Sequence, residues 1–301
     1  MISDASAELI RDVFGKPEFF QGAARISKRL VGWGDAAPVE LEHSAIVVSE
    51  RRLLEELGEI DCETTSGQPD FCIHASGTPP GTVMARFGAR SATAARVVLK
   101  QEARAECRVE SVPEGWLFLI PNAQEEDWLL AIGGDPETLL GRSRIIAPVL
   151  DGIEVMPGEF STCPGILSPL CGGEWLACGS AAAAFDPICG DGTANAIREA
   201  ILAAAVIRGI AAGEPAGHLF EHYQTRLMGA MRRHLSMCSQ FYATGGSGSW
   251  WREQTASLQE GFDWCGARLE SIPPPRYRLQ DYELRRLQEP SGSRAGQSTI
   301  I

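Results

Sequence analysis

The fold of this chain depends on residues 175–200, which read WLACGSAAAAFDPICGDGTANAIREA. The segment begins with a short apolar run that predicts a buried strand, and it continues into a turn of small residues. Gly190 and Gly192 then flank an acidic residue just before a long apolar stretch with helical periodicity. A helix entered through glycines presents unpaired backbone N–H groups and the positive end of its dipole, which suits a phosphate or a ring carbonyl. The segment therefore predicts a nucleotide site.

Composition narrows the class of protein. The 301 residues are 44% hydrophobic, enough to supply the core of an α/β body. The 27 basic and 39 acidic residues give a net charge of −12, which argues against nucleic acid or an anionic membrane as the main partner. The nine cysteines include no Cys-x-x-Cys pair, so we expect reduced thiols in the cytoplasm. No secretory signal is visible at the N-terminus, and the longest apolar run, 201–207, is too short to span a bilayer.

A second segment points to the same site. Residues 69–77, PDFCIHASG, form an apolar run closed by small residues, which is typical of a core strand. Its carboxyl end carries Ser76 and Gly77, where ligands usually bind in open α/β sheets. The other elements predicted from periodicity are a helical pattern in 1–30 with Lys28 and Arg29 near its end, a strand at 44–50, a helix at 50–60, strands at 95–106, 115–122 and 127–134, and helices at about 192–212, 217–241 and 250–258.

The central segment resembles the second FAD motif of class A flavoproteins. These are the p-hydroxybenzoate hydroxylase-type monooxygenases and the flavin-dependent tryptophan halogenases. Their pattern is a strand, then Gly-Asp-Ala-Ala, a proline, and Gly-x-Gly at the start of a helix. Here 179–182 read GSAA, and Pro187, Gly190 and Gly192 follow in register. The segments 72–77 and 114–121 are similar to other parts of the family, so the similarity runs from about residue 25 to 260.

The resemblance implies FAD as the cofactor and suggests which residues contact it. In the family, the Gly-Asp pair meets the ribityl chain, while the Gly-x-Gly turn and the helix N-terminus meet the pyrimidine end of the flavin. The residues carried over to this chain are Gly179, Ser180, Pro187, Gly190, Asp191, Gly192, Thr193, Ser76 and Gly77. The alternative for Asp186 and Asp191 is a turn-forming or helix-capping role. The alternative for the whole motif is a purely structural glycine turn between a strand and a buried helix.

The chain departs from the family pattern at several positions. Ser180 replaces the motif aspartate. A serine can still hydrogen-bond a flavin hydroxyl, but the charge-assisted bond that it replaces is worth about 1 kcal/mol more than a neutral one. His74 stands where the family usually has Asp, and Thr78 where it usually has Arg. No strand followed by Gly-x-Gly-x-x-Gly, the family's site for the ADP half of FAD, occurs near the N-terminus. Three explanations stay open: a late start of the sequence, a segment on another chain, or a site that no longer holds FAD.

We therefore predict an α/β fold with an FAD/NAD(P)-binding type mixed sheet, an inserted antiparallel substrate sheet and a helical C-terminal cap. The expected divisions are 1–84 and 161–213 for the FAD-binding domain, 85–160 for the substrate sheet, 214–288 for the cap and 289–301 for a disordered tail. The function implied is FAD-dependent oxidation, by a monooxygenase rather than a halogenase, of a small aromatic or indole-like substrate or a Trp-containing peptide, with a reductase as a possible partner. No catalytic acid or base is identified, and the expected pocket residues are Trp33, His43, Phe118 and Trp128.

Other classes of function remain as alternatives. His218, Glu221 and His222 match the His-x-x-Glu-His pattern of inverted zinc metallopeptidases. His234 and Cys238, four residues apart on the same helix, form a weaker metal pair. The remaining alternatives are Ser180 as a hydrolase nucleophile, Cys189 as a redox-active thiol, and a flavin-free binding or maturation protein that retains the fold.

Overall fold

The computed structural model describes residues 1–58, 69–100, 105–190 and 192–287. The helices in these ranges are α1 (Asp4–Phe14), α2 (Glu50–Leu57), α3 (Pro136–Leu140), α4 (Gly192–Ala211), α5 (Ala216–Gly245) and α6 (Ser249–Glu270). The strands are β1 (Ile2–Ser3), β2 (Ala24–Gly32), β3 (Val39–Val47), β4 (Cys72–His74), β5 (Val83–Arg86), β6 (Ser91–Leu99), β7 (Glu106–Val112), β8 (Gly115–Ile120), β9 (Asp127–Ile132), β10 (Leu150–Val155), β11 (Phe160–Ser161), β12 (Gly165–Ser168), β13 (Cys171–Gly172), β14 (Trp175–Ala177), β15 (Ala183–Ala184), β16 (Tyr277–Gln280) and β17 (Glu283–Arg286).

The largest sheet has nine strands in the order β1-β3-β2-β7-β8-β9-β6-β10, with β11 also paired to β6. Its pairs are antiparallel except for β2 and β7, so the sheet is mixed. The central strand β8 is buried along almost its whole length, which fits its apolar sequence GWLFLI. The mixed sheet together with the C-terminal helices confirms the predicted α/β class.

The N-terminal region differs from the prediction. The helical pattern expected in 1–30 yields α1 and then a strand, β2, that carries Lys28 and Arg29. Pairing with β3 on one side and β7 on the other fixes β2 as a strand, because tertiary contacts override local helix propensity. The single strand expected at 95–106 is also wrong: β6 ends at Leu99, and β7 begins at Glu106.

The described residues also form two three-stranded sheets and a two-stranded sheet of β16 and β17. The first has the order β13-β14-β4, and β14 runs parallel to β4. The second has the order β15-β12-β5. The strand expected at the start of the central motif and the strand expected at the end of PDFCIHASG are therefore neighbours in one sheet.

Helices α4 and α5 contact the short helical turns of the central segment. Helix α6 is longer than expected and ends at Glu270, and it packs along α5. Helix α6 also lies against Phe87, and Gly261 makes this approach possible. A Cβ at position 261 would lie 2.5 Å from the ring of Phe87. Strands β1–β3 share a sheet with β6–β11. The predicted domain divisions stay a prediction, and the segment 289–301 lies outside the described residues. Among the described helices none combines the length and apolar character needed to cross a membrane.

Candidate functional site

The candidate site forms where β4 and β14 end side by side. Their parallel register pairs Cys72 with Trp175 and His74 with Ala177, so both carboxyl ends reach the same edge. Just beyond that edge the Ala75 carbonyl accepts hydrogen bonds from the Ser180 hydroxyl at 3.2 Å and from the backbone N–H of the following residue at 3.4 Å. The structure thus joins the two segments that carry the predicted FAD residues. The side of a parallel sheet where strands end is the usual place for ligands in this class of fold.

The segments that follow β4 and β14 keep the predicted site residues at least partly accessible to solvent. Ser76, Gly77 and Ser180 are exposed, and Gly179 is half-buried. Gly77 and Gly179 have φ values of 71° and 56°, in the left-handed region that glycine adopts without strain. Backbone N–H and C=O groups at this turn can therefore approach a ligand closely.

Helix α4 contacts the turn after β14 through Glu199. A short helical turn, Pro187–Cys189, precedes it and ends at Gly190, which has a φ of 68°. Gly192 and Thr193 form the exposed first turn of α4. The side chain of Pro187 is half-buried, and Asp191 lies outside the described residues. The exposed N-terminus of this long helix supplies N–H donors and a positive dipole end.

Glu199 connects α4 to the turn and was not singled out as a site residue from the sequence. Its carboxylate accepts the Gly179 N–H at 2.8 Å, and only 6% of the residue is exposed. Burial raises the pKa of Glu199 to about 7, and the Gly179 N–H partly offsets this rise. The signal available in the sequence was an acid within an otherwise apolar stretch of helix. Glu199 can hold or release a proton near neutral pH at the back of the candidate site.

Asp186 anchors the loop that leads to α4. Its carboxylate caps the turn by accepting the Ile188 N–H at 3.0 Å, as the capping alternative predicted. The same carboxylate pairs with Arg90 at 3.0 Å and accepts the Tyr242 hydroxyl at 2.8 Å. The side chains of Arg90 and Asp186 are both fully buried.

The buried pair extends into a network of polar groups. Arg90 also donates to the Gln254 side chain at 2.9 Å, and Trp116 donates to the Tyr242 hydroxyl at 3.0 Å. The backbone N–H of Asp186 donates to Nε2 of His234 at 2.8 Å. These bonds tie the loop before α4 to the large sheet, to α5 and to α6. Such a network fixes the loop geometry, because each buried polar group is costly if left unpaired.

An open cavity of about 430 Å³ lies between α4 and α5. Glu199 forms part of its wall, so the cavity adjoins the candidate site. Three arginines, Arg198, Arg226 and Arg233, also line it. Their charge favours an anionic group of a ligand in this cavity.

The four residues expected to line an aromatic pocket do not come together. His43 and Trp128 lie on β3 and β9, which are four strand spacings or about 19 Å apart in the sheet. One small aromatic substrate could not contact both. Phe118 is buried in the core. Trp33 donates from its indole N–H to the Phe241 carbonyl at 2.9 Å and packs edge-on against another indole, so it anchors a loop.

The residues of the zinc alternative do not converge either. In the described part of the chain, the only three potential ligands within 4.8 Å of one another are Cys189, His234 and Cys238. His222 is buried without a hydrogen-bond partner on its ring, and burial lowers its pKa to about 4. Glu221 lies 3.6 Å from Arg276. The environment of His222 is that of a neutral core residue.

The departures from the family pattern have simple local roles. Ser180 donates to the Ala75 carbonyl and has no histidine partner, so nothing activates it as a nucleophile. His74 packs edge-on against Trp175, and Thr78 is exposed.

Comparison with known proteins identifies the fold. No family model and no curated protein sequence matches the chain. Solved structures do match. The peptidyl tryptophan dihydroxylase QhpG, essential for tryptophylquinone cofactor biogenesis, is 18% identical with a TM-score of 0.67, and the match covers 84% of this chain and 69% of QhpG. The myxobacterial chondrochloren halogenase CndH, an FAD-dependent enzyme, is 16% identical with a TM-score of 0.68 over 91% of this chain and 82% of CndH.

A third similar structure is the flavin-dependent monooxygenase PieE, described in complex with FAD and substrate. It is 13% identical with a TM-score of 0.56, and the match covers 90% of this chain and 65% of PieE. At these identities the similarity establishes the fold. The chain has the fold of flavin-dependent halogenases and monooxygenases, as its central motif predicted.

Proposed function

We propose that this protein is a flavin-dependent oxidoreductase that binds its flavin where β4, β14 and α4 meet. The observation that carries the proposal is the shared edge of the two parallel strands, where the Ala75 carbonyl accepts a hydrogen bond from Ser180 and the Glu199 carboxylate of α4 accepts the Gly179 N–H. The matched structures support the proposal, since each is described as a flavin enzyme or acts on an aromatic side chain.

The residues present fit the isoalloxazine and ribityl half of FAD. The half-buried Gly179 and the exposed Ser180 have little or no side chain to obstruct a ribityl chain, and the Ser180 hydroxyl can exchange its bond to Ala75 for a ligand hydroxyl. The N–H groups of the first turn of α4, at Gly192 and Thr193, would hold the pyrimidine carbonyls and stabilise negative charge there. A bound flavin would supply the electrons and the reaction with oxygen.

The given sequence shows no Gly-x-Gly-x-x-Gly motif after an early strand, the motif that binds the adenosine half of FAD in this class of fold. The arginines of the cavity between α4 and α5 offer positive charge beside the site. We propose FAD as the natural form of the flavin.

For the substrate we propose an aromatic or indole-like group, either free or as a tryptophan in a peptide. QhpG, with 69% of its length covered, is described as acting on peptidyl tryptophan, which supports the peptide form. Hydroxylation is favoured over halogenation because the sequence lacks an evident Trp-x-Trp-x-x-Pro segment. The eight described cysteines are free thiols, which supports a cytoplasmic location.

The proposed function is tested by oxygen transfer. The full chain is incubated with FAD, a flavin reductase with its nicotinamide, ¹⁸O₂ and a short tryptophan-containing peptide, and the peptide is weighed by mass spectrometry. We expect incorporation of ¹⁸O into the peptide that depends on the protein and on the reductase. A matched peptide with leucine in place of tryptophan should gain no oxygen. Absence of labelling in a preparation that binds flavin would remove the monooxygenase assignment and leave a flavin-binding protein.

A further inference from the structure

Two cysteines from separate elements meet behind the loop that leads to α4. The sulfur of Cys189, at the end of the Pro187–Cys189 turn, lies 3.7 Å from the sulfur of Cys238 on α5. Cys189 is half-buried, whereas Cys238 is fully buried. The pair therefore combines one thiol that solvent can reach with one that it cannot. No sequence motif indicates this contact, because 48 residues lie between the two positions.

We propose that Cys189 and Cys238 are a dithiol that hydrogen peroxide oxidises to a disulfide, with Cys189 as the attacking thiol and Cys238 as the resolving thiol. The two sulfurs are already in contact, and a disulfide requires them to approach to about 2.05 Å. The sulfur of Cys189, at the end of its short turn, has to move closer to that of Cys238 on α5. The inference does not depend on flavin binding.

The surroundings favour Cys189 as the attacking group. A hydrogen bond from the Cys238 thiol lowers the pKa of Cys189 to about 6, against the opposing effect of burial. The donated bond and burial raise the pKa of Cys238. The thiolate, which is the nucleophile, thus resides on the more accessible sulfur. Cys189 is the half-buried member of the pair, so peroxide can reach it more readily than the fully buried Cys238.

The reaction proceeds in two balanced steps. The Cys189 thiolate attacks one peroxide oxygen, an S–O bond forms as the O–O bond breaks, and the released hydroxide takes a proton from solvent to become water. The sulfur of Cys238 then attacks the Cys189 sulfenic acid, the S–S bond forms, and the S–O bond breaks. The departing hydroxide takes the Cys238 proton as a second water. Two electrons pass from the two sulfurs to one peroxide.

A metal ion is the competing occupant of the same cluster, because His234 completes a set of three potential ligands. The lone pair of His234 Nε2 is already engaged, since it accepts the Asp186 N–H at 2.8 Å. A metal would have to break that bond, whereas a disulfide leaves it intact. The geometry therefore favours the dithiol.

Oxidation would link the loop before α4 covalently to α5. The turn that carries Cys189 leads through Gly190 directly to the helix N-terminus. A disulfide would restrict movement of this loop relative to α5, so the redox state of the pair would control the loop that begins α4.

Peptide mapping tests the proposal on the full chain. The reduced protein is treated with hydrogen peroxide, remaining thiols are alkylated, and the digest is analysed without reduction. We expect a linked peptide pair containing Cys189 and Cys238, loss of two hydrogen atoms from the intact protein, and full reversal by dithiothreitol. Cys238→Ser should accumulate a sulfenic acid at Cys189 that dimedone traps. Cys189→Ser should lose the linked peptides.

The matched control is Cys72→Ser, which removes another half-buried thiol that lies near a histidine, 3.7 Å from His74 Nε2. This variant should form the link between Cys189 and Cys238 as the unmodified chain does. Wild-type mapping does not rely on any variant folding. The proposal is wrong if folded wild-type protein oxidises Cys189 to sulfinic acid without the link. It is equally wrong if the purified protein contains stoichiometric zinc that protects both thiols from peroxide.

Discussion

Glu199 is the residue whose titration most affects the folded state near the candidate site. Its pKa is raised from 4.5 to about 7 by burial, so the folded protein retains this proton at pH values where the unfolded chain has lost it. Between pH 4.5 and 7 the unfolded state binds fewer protons, and stability falls as the pH rises. At pH 8 the loss from this one group amounts to about 3 kcal/mol.

Glu199→Gln should remove that loss. Glutamine keeps an oxygen to accept the Gly179 N–H and carries no charge. We expect the variant to be more stable than wild type at pH 8 and about equal to it near pH 4. Urea unfolding at both values measures the difference. An identical pH dependence in the two proteins would mean that Glu199 is not buried as a carboxyl group.

At this scale the motif predicts candidate site residues, which stay predictions, but not the contacts that those residues make. The glycines and Ser180 were identified because the motif fixes their spacing along the chain. The hydrogen-bond partners of Asp186 could not be identified from the sequence, because Arg90 lies 96 residues away and no periodic pattern relates the two positions. Contacts of this kind depend on how the sheets and helices assemble, which a single sequence does not encode locally.

At the scale of elements, the packing of α6 depends on a glycine. A Cβ at Gly261 would lie 2.5 Å from Cγ of Phe87, whose side chain is buried. Gly261→Ala should therefore destabilise the protein by about 1–3 kcal/mol, because the core must shift to admit the methyl group.

Gly266→Ala on the same helix is the control. Its added Cβ would meet only the flexible side chain of Arg232, at 3.4 Å. This variant should be neutral or more stable by up to about 1 kcal/mol, since alanine favours helix over glycine. Thermal unfolding of the two variants beside wild type makes the comparison. Equal effects would show that the packing of α6 on Phe87 does not limit stability.

Strong periodicity predicted elements well, and weak periodicity did not. The apolar stretch after Gly192 gave α4 almost to its last residue, and the short apolar runs gave β4 and β14. The segment that becomes β2 falls mostly within the helical pattern predicted for 1–30. Its strand character comes from its two neighbours in the sheet.

At the scale of the whole molecule, the order of strands is what the sequence could not give. Strands β1–β3 join the same sheet as β6–β11, although 43 residues separate the end of β3 from the start of β6. The fold class followed from the central motif, and the matched structures confirm it. The flavin site itself stays a prediction that rests on the meeting of β4, β14 and α4.

The comparison of Ser180 variants gives that prediction a quantitative form. Ser180→Asp restores the carboxylate of the family motif and should tighten flavin binding about fivefold through a charge-assisted hydrogen bond. Ser180→Ala should weaken it. Ser271→Ala is the matched control, because Ser271 is also exposed and also donates to a backbone carbonyl, that of Arg268. It should bind flavin as wild type does.

Equilibrium titration of the full chain with FAD and with riboflavin, followed by quenching of flavin fluorescence, tests the central claim most directly. We predict saturable binding of both flavins at one site per chain, tightened by Ser180→Asp and unchanged by Ser271→Ala. Absence of saturable binding to either flavin, or binding that is indifferent to every substitution of Ser180, would contradict the site at the strand ends.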